Sequence, residues 1–109
     1  MKRAFATAAA PVFAALGDET RLRLLARVSG EGPLSITRLS EGAPVTRQAV
    51  TKHLRVLEQA GLVRAHRRGR ETLWQIEPKR LDDAQRYLET VASEWDARLE
   101  RFKRMIESD

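Results

Sequence analysis

Apolar side chains recur along this chain with a helical period, except over one short stretch where the pattern turns strand-like. Residues 11–16 place Val12, Phe13 and Leu16 together. Pro11 suits a first helical turn there, because it lacks the N–H that would go unbonded. Residues 2–10 are a candidate preceding arm anchored by Phe5. Gly17 breaks the pattern and Asp18 offers an N-cap. A second helix over about 19–29 is expected to turn Leu22, Leu25, Ala26 and Val28 inward. "GEGP" at 30–33 reads as a turn, and Ser35 as the cap of a short helix over about 36–41 that carries Ile36 and Leu39. Thr46 caps the next helix, which runs to Ala60 along an apolar edge of Val50, Leu54 and Leu57 and stops at Gly61. In "LVRAHRRGRETLWQIEP" two β-prone runs, about 62–66 and 71–76, flank "RRGR". Gly69 can supply the positive φ of a hairpin turn, and Leu62, Val63, Trp74 and Ile76 are expected to cover the core. After Pro78 a long helix continues to about 106. Leu81, Ala84, Leu88, Val91, Trp95, Leu99, Phe102 and Ile106 recur along it at intervals of three and four. Asp82–Arg86, Glu94–Arg98, Glu100–Arg104 and Lys103–Glu107 form i,i+4 pairs on its outer face.

No repeat, linker or low-complexity tract interrupts this order, so the 109 residues read as one domain, 1–109. With 42% hydrophobic and 32% charged residues the chain is expected to fold. No apolar run approaches the roughly 18–20 residues of a membrane span. The opening "MKRAFATAAAPVFAAL" is alanine-rich and runs on into helical sequence, so it reads as part of the fold and not as a signal peptide. A cytoplasmic protein without a membrane partner is expected. There is no cysteine, hence no disulfide, thiolate metal site or redox switch.

Charge changes the picture. The net +5 is not spread evenly. Residues 44–70 hold Arg47, Lys52, Arg55, Arg64, Arg67, Arg68 and Arg70 against one acid, Glu58, while the rest of the chain is close to neutral. Such a patch attracts a polyanion. Within it, the helix from 46 to 60 turns Val50, flanked by Thr46, Ala49, His53, Leu54, Leu57 and Ala60, toward the core. Gln48, Thr51, Lys52 and Arg55 fall on the far side, with Arg47 on a flank. An ordinary solvated face would mix signs.

Helix, short helix, turn, helix, basic hairpin is the order of a winged helix-turn-helix, mainly α with a small β-hairpin. The helix-turn-helix would span 34–60 and the wing 62–76. The second helix of that motif lies in the DNA major groove. Gln48 can pair bidentately with adenine, Arg47 or Arg55 with guanine, and Thr51 can meet a thymine methyl or a phosphate. Arg67, Arg68 and Arg70 at the wing tip can reach the backbone or a narrow minor groove. Double-stranded DNA is therefore the expected partner. RNA is disfavoured because residues 44–70 offer no exposed aromatics for base stacking, and the strong basic patch argues against a protein-interaction adapter.

"FAALGDETRLRLLARV", "TRQAVTKHLRVLEQAGLV" and "RRGRETLWQIEP", in that order, resemble the ArsR/SmtB family of bacterial transcriptional repressors. The resemblance covers about residues 12–80, and the long last helix also fits. It implies a homodimeric winged helix that binds operator DNA through the helix of residues 46–60 and dimerises through its first and last helices. Phe5, Val12, Phe13, Leu88, Val91, Trp95, Leu99 and Phe102 are the interface residues so implied.

The resemblance is to the metal-independent members. One family site uses Cys-x-Cys before the recognition helix, where this chain reads "LSITRLS" with Ser35 and Thr37. Another uses Asp and His on the last helix, which here has Asp82 and Asp83 but no His, since none follows His66. His53 and His66 alone do not make a tight Zn²⁺ site. No metal and no cofactor is expected. His53 reads as a half-buried packing or phosphate-contacting residue and His66 as exposed. No Gly-rich phosphate loop or nucleophile elbow appears, so no catalysis is expected. An unidentified small organic effector held between the terminal helices would be lined by Trp95, Phe102 and Phe13. Ordinary dimer core is the favoured reading of those three.

Overall fold

The computed structural model describes the backbone of residues 2–108 and the side chains of residues 7–108. The elements in chain order are α1 (Lys2–Leu16), α2 (Glu19–Glu31), β1 (Leu34–Ser35), α3 (Ile36–Ser40), α4 (Arg47–Gln59), β2 (Val63–Arg68), β3 (Glu71–Ile76) and α5 (Pro78–Glu107). Pro11 sits inside α1 and does not open it. The helix gives up one hydrogen bond there, and the burial of Ala9, Val12 and Ala15 along one face offsets the loss.

Local capping fixes the helix starts. The Asp18 carboxylate accepts from the backbone N–H of Arg21 at 3.1 Å, Ser35 Oγ from Arg38 at 3.2 Å, and Thr46 Oγ1 from Ala49 at 3.1 Å. The Arg21 amide holds the Asp18 carboxyl below the ordinary carboxylate range, with the charges of His53 and Arg21 adding to it. That contribution is present at neutral pH and is lost as acid protonates the group.

Helix α2 packs through Leu24, Leu25 and Val28, not through the expected Leu22 and Ala26, which face solvent. Val50, Leu54 and Leu57 of α4 are fully buried beneath it with Leu39, Leu62, Val63 and Trp74. Burial of each such large side chain contributes about 1.5–3 kcal/mol. The hairpin is part of a three-stranded antiparallel sheet in the order β1-β3-β2. The two-residue β1 pairs Leu34 with Trp74 and Ser35 with Leu73. It ties the start of the helix-turn-helix to the wing. Gly69, with φ 63°, begins the two-residue turn between Arg68 and Glu71, the position that a type II′ hairpin reserves for glycine.

Gly61 closes α4 with φ 79°, and a β-carbon there would lie 2.6 Å from Cγ of Arg80 on α5. Gly61→Ala is therefore expected to cost about 1–2 kcal/mol for the left-handed backbone alone. Chemical denaturation checks this, and an unchanged midpoint would refute it.

Helix α5 leaves the body. Ala84 is buried and Leu81, Tyr87 and Val91 are half-buried, but every described side chain from Trp95 onward is exposed. The molecule spans 70 × 28 × 20 Å, with a radius of gyration of 18.7 Å. A compact chain of this length would have about 13 Å.

Candidate nucleic-acid interface

Thr46 fixes where α4 begins and Val50, Leu54 and Leu57 fix which face is buried, so the opposite face points outward by construction. On it lie Arg47, Gln48 and Lys52, all exposed, and Thr51, half-buried, whose hydroxyl donates to the Arg47 carbonyl at 3.1 Å. The wing adds exposed Arg67, Arg68 and Arg70. Arg70 and Arg47 line the same cleft, so the start of α4 and the tip of the wing converge.

Several arginines among the described residues are engaged by carboxylates. Arg23 meets Glu19, Arg27 meets Glu31, Arg38 meets Glu41, Arg64 meets Glu77 and Arg80 meets Asp83. Arg55, a sequence candidate for guanine, is also engaged. Its guanidinium donates to Glu58 at 2.9 Å and lies 5.1 Å from the centre of the Trp74 ring, a cation–π contact that holds α4 to the wing root. Among the described residues, the side chains of Arg47, Lys52, Arg67, Arg68 and Arg70 have no such partner. Arg47 and Arg70 share one cleft, which Glu71 also lines, and Gln48 and Lys52 stand exposed on the same helix as Arg47.

His53 is half-buried at the back of α4. Its Nδ1 lies 3.5 Å from Arg21 Nη1 and 4.0 Å from Asp18 Oδ1. Arg21 also donates to the Ala15 carbonyl at 2.6 Å, joining the end of α1 to α4. His66 is exposed on β2.

The residues expected at a dimer face divide. Val12 is 1% exposed and belongs to the protomer's own core, a correction that follows from α1 lying against α2 and α4. Phe13 is half-buried against Tyr87 of α5, with ring centres 5.9 Å apart. The Phe5 side chain lies outside the described residues. Val91 is half-buried, and Leu88, Trp95, Leu99 and Phe102 stand exposed on α5, joined by Met105 and Ile106. Met105 was not singled out in the sequence. It lies three residues after Phe102, so the helical spacing marks it.

A helix set at the surface with free cations and an amide, beside a cationic hairpin on a sheet, defines a winged helix-turn-helix DNA-binding protein. Known proteins agree. A family described as a helix-turn-helix domain matches residues 16–66. The chain is 33% identical over 95 residues to the HTH-type transcriptional regulator Rv2034 of Mycobacterium tuberculosis, covering 87% of this chain and 85% of that one. An ArsR-like transcriptional regulator from Rhodococcus sp. RHA1 superposes with a TM-score of 0.79 at 38% identity, over 91% of this chain and 92% of that one. The homodimeric winged helix-turn-helix DNA-binding domain Mb0332 of Mycobacterium bovis, a possible ArsR-family regulator, superposes with a TM-score of 0.66 at 25% identity over 86% of each chain. The chain belongs to the ArsR family of winged helix-turn-helix regulators and is a DNA-binding transcriptional regulator. Among the described residues no helix is long and apolar enough to cross a membrane.

Proposed function

We propose that the protein is a homodimeric, metal-independent repressor that binds a palindromic operator. The observation that carries this reading is the exposed apolar stripe of α5, carried by the same chain as the cationic face of α4 and the wing. A two-fold axis crossing that stripe gives each dimer two recognition helices. Two such helices read two half-sites about one DNA turn, or roughly 34 Å, apart, with inverted symmetry. A dimer seated there blocks access to the DNA it covers. Metal independence is supported by the absence of cysteine and by a histidine content of two.

Selection of bound sequences from random DNA tests the reading. A palindromic consensus is the expected result, and no enrichment would overturn it. Within the consensus, Gln48→Ala is expected to relax preference at one base pair per half-site, costing about 1–3 kcal/mol on the best site. If that variant selects the parental consensus unchanged, Gln48 does not read bases.

A further inference from the structure

We propose that the cleft between the start of α4 and the wing is a seat for a single DNA phosphate, gripped by Arg47 from one side and Arg70 from the other. The inference rests on the DNA-binding reading and deepens it, because it divides the cationic face into a backbone clamp and a base-reading surface.

The cleft has a volume of about 230 Å³ and is lined by Arg47, Arg70, Ser35, Ile36, Thr37 and Thr72, with Glu71 as its carboxylate. A water occupies about 30 Å³ in the liquid, so there is room for a phosphate group. The two arginines that line the cleft lie 23 residues apart in sequence. Neither has an ion pair or a side-chain hydrogen bond among the described residues, whereas Arg38, Arg55 and Arg64 each meet a carboxylate. Two like charges beside one cleft repel each other until an anion enters between them. Arginine offers planar N–H pairs that match phosphate oxygens two at a time.

The hydroxyls fit the same ligand. Ser35 Oγ already accepts from the Arg38 amide at 3.2 Å, so its own proton is free to donate. Thr37 is exposed and Thr72 half-buried at the cleft. A phosphodiester oxygen is only an acceptor, and the cleft presents five donor side chains against one carboxylate. The β1–β3 pairing of Ser35 with Leu73 fixes the Ser35 side of the cleft against the Thr72 side without the ligand.

In this arrangement Arg47 is a positioning residue. Engaged with the backbone, it fixes how far α4 enters the groove, and base reading falls to Gln48 with Thr51 and Lys52. Phosphate contacts set register and carry no direct sequence information.

The test replaces phosphates of the selected operator one at a time by uncharged methylphosphonates and measures affinity. For the parent protein, one position per half-site is expected to cost about tenfold or more. Arg47→Ala and Arg70→Ala are each expected to weaken the unmodified operator by a similar factor, to become indifferent to that same methylphosphonate, and to select the parental consensus. Glu71→Gln is expected to tighten binding, an effect that misfolding cannot produce. The clamp is overturned if the two arginine variants lose sensitivity at different phosphates, if Arg47→Ala changes the selected bases, or if Glu71→Gln leaves binding equal or weaker. Parent protein that enriches no sequence would overturn the DNA-reading proposal itself. Parent protein that binds its operator but fails these comparisons overturns the clamp alone.

Discussion

Trp95→Asp or Leu99→Asp is expected to make the protein monomeric and to abolish binding to the full operator, although neither residue lies on the cationic face. Trp95 is 59% exposed, Leu99 46% and Phe102 57%, and they follow one another along a helix that has outrun its own core. Thirty residues of α5 extend about 45 Å. The accessible surface is 7915 Å², where a compact 12.4 kDa protein would show about 6,100 Å². The excess is about twice the roughly 800 Å² that one partner buries in a standard interface. A monomer rarely leaves a contiguous stripe of large apolar side chains such as Trp95, Leu99, Phe102 and Ile106 exposed. Antiparallel pairing of two α5 helices about a two-fold axis covers the stripe with itself, since an isologous interface uses the same patch twice. A carboxylate at its centre is then buried without a partner, which costs several kcal/mol in each protomer. Sedimentation measured alongside DNA titration decides the matter. A variant that is monomeric yet binds the whole operator at parental affinity would refute the link between pairing and recognition. A wild type that is monomeric at micromolar concentration would refute the dimer.

How much of this could be seen in the sequence depended on how local each signal was. Helix α4 was legible to within a residue, because Thr46, the spacing of Val50, Leu54 and Leu57, and Gly61 are all short-range signals that agree. The wing and α5 were legible for the same reason. Helix α1 was not: a proline normally opens a helix, and only packing of Ala9, Val12 and Ala15 on the core keeps the helix intact through Pro11. In α2, "RLRLLARV" carries two overlapping apolar stripes, one through Leu22, Leu25 and Ala26 and one through Leu24, Leu25 and Val28. The docking of α2 on α4 chooses the second. Strand β1 is two residues long, too short to show a period. Val12 was assigned to a dimer face by resemblance and lies in the protomer core.

The same boundary runs through the candidate site. Which cations share the α4 face follows from helical spacing. That Arg55 is engaged by Glu58 and Trp74 while Arg47 stands free beside Arg70 depends on how the hairpin folds back, which no local pattern encodes. Charge alone made these arginines equivalent, and tertiary structure makes them different.

The free cations also set the response to salt. Arg47, Lys52, Arg67, Arg68 and Arg70 of each protomer are unpaired among the described residues, so binding DNA breaks no internal ion pair at these positions. Their interaction energy goes to phosphates and to the counterions those phosphates release. A dimer that neutralises roughly 6–10 phosphates is expected to show log K falling with log[salt] at a slope of about −5 to −9. Between 50 and 200 mM salt the affinity for the operator then drops by about 10³–10⁵. Arg68→Ala removes one contact per protomer, and is expected to make the slope shallower by about two for the dimer while leaving base preference intact. Gln48→Ala is expected to do the reverse, changing preference and leaving the slope alone, because an uncharged side chain releases no counterion. Titration at several salt concentrations checks both variants against the parent. A parental slope near zero would mean that the one-signed face does not meet a phosphate backbone at all. Equal slopes for the parent and Arg68→Ala would take the wing tip out of the interface while leaving α4 in it.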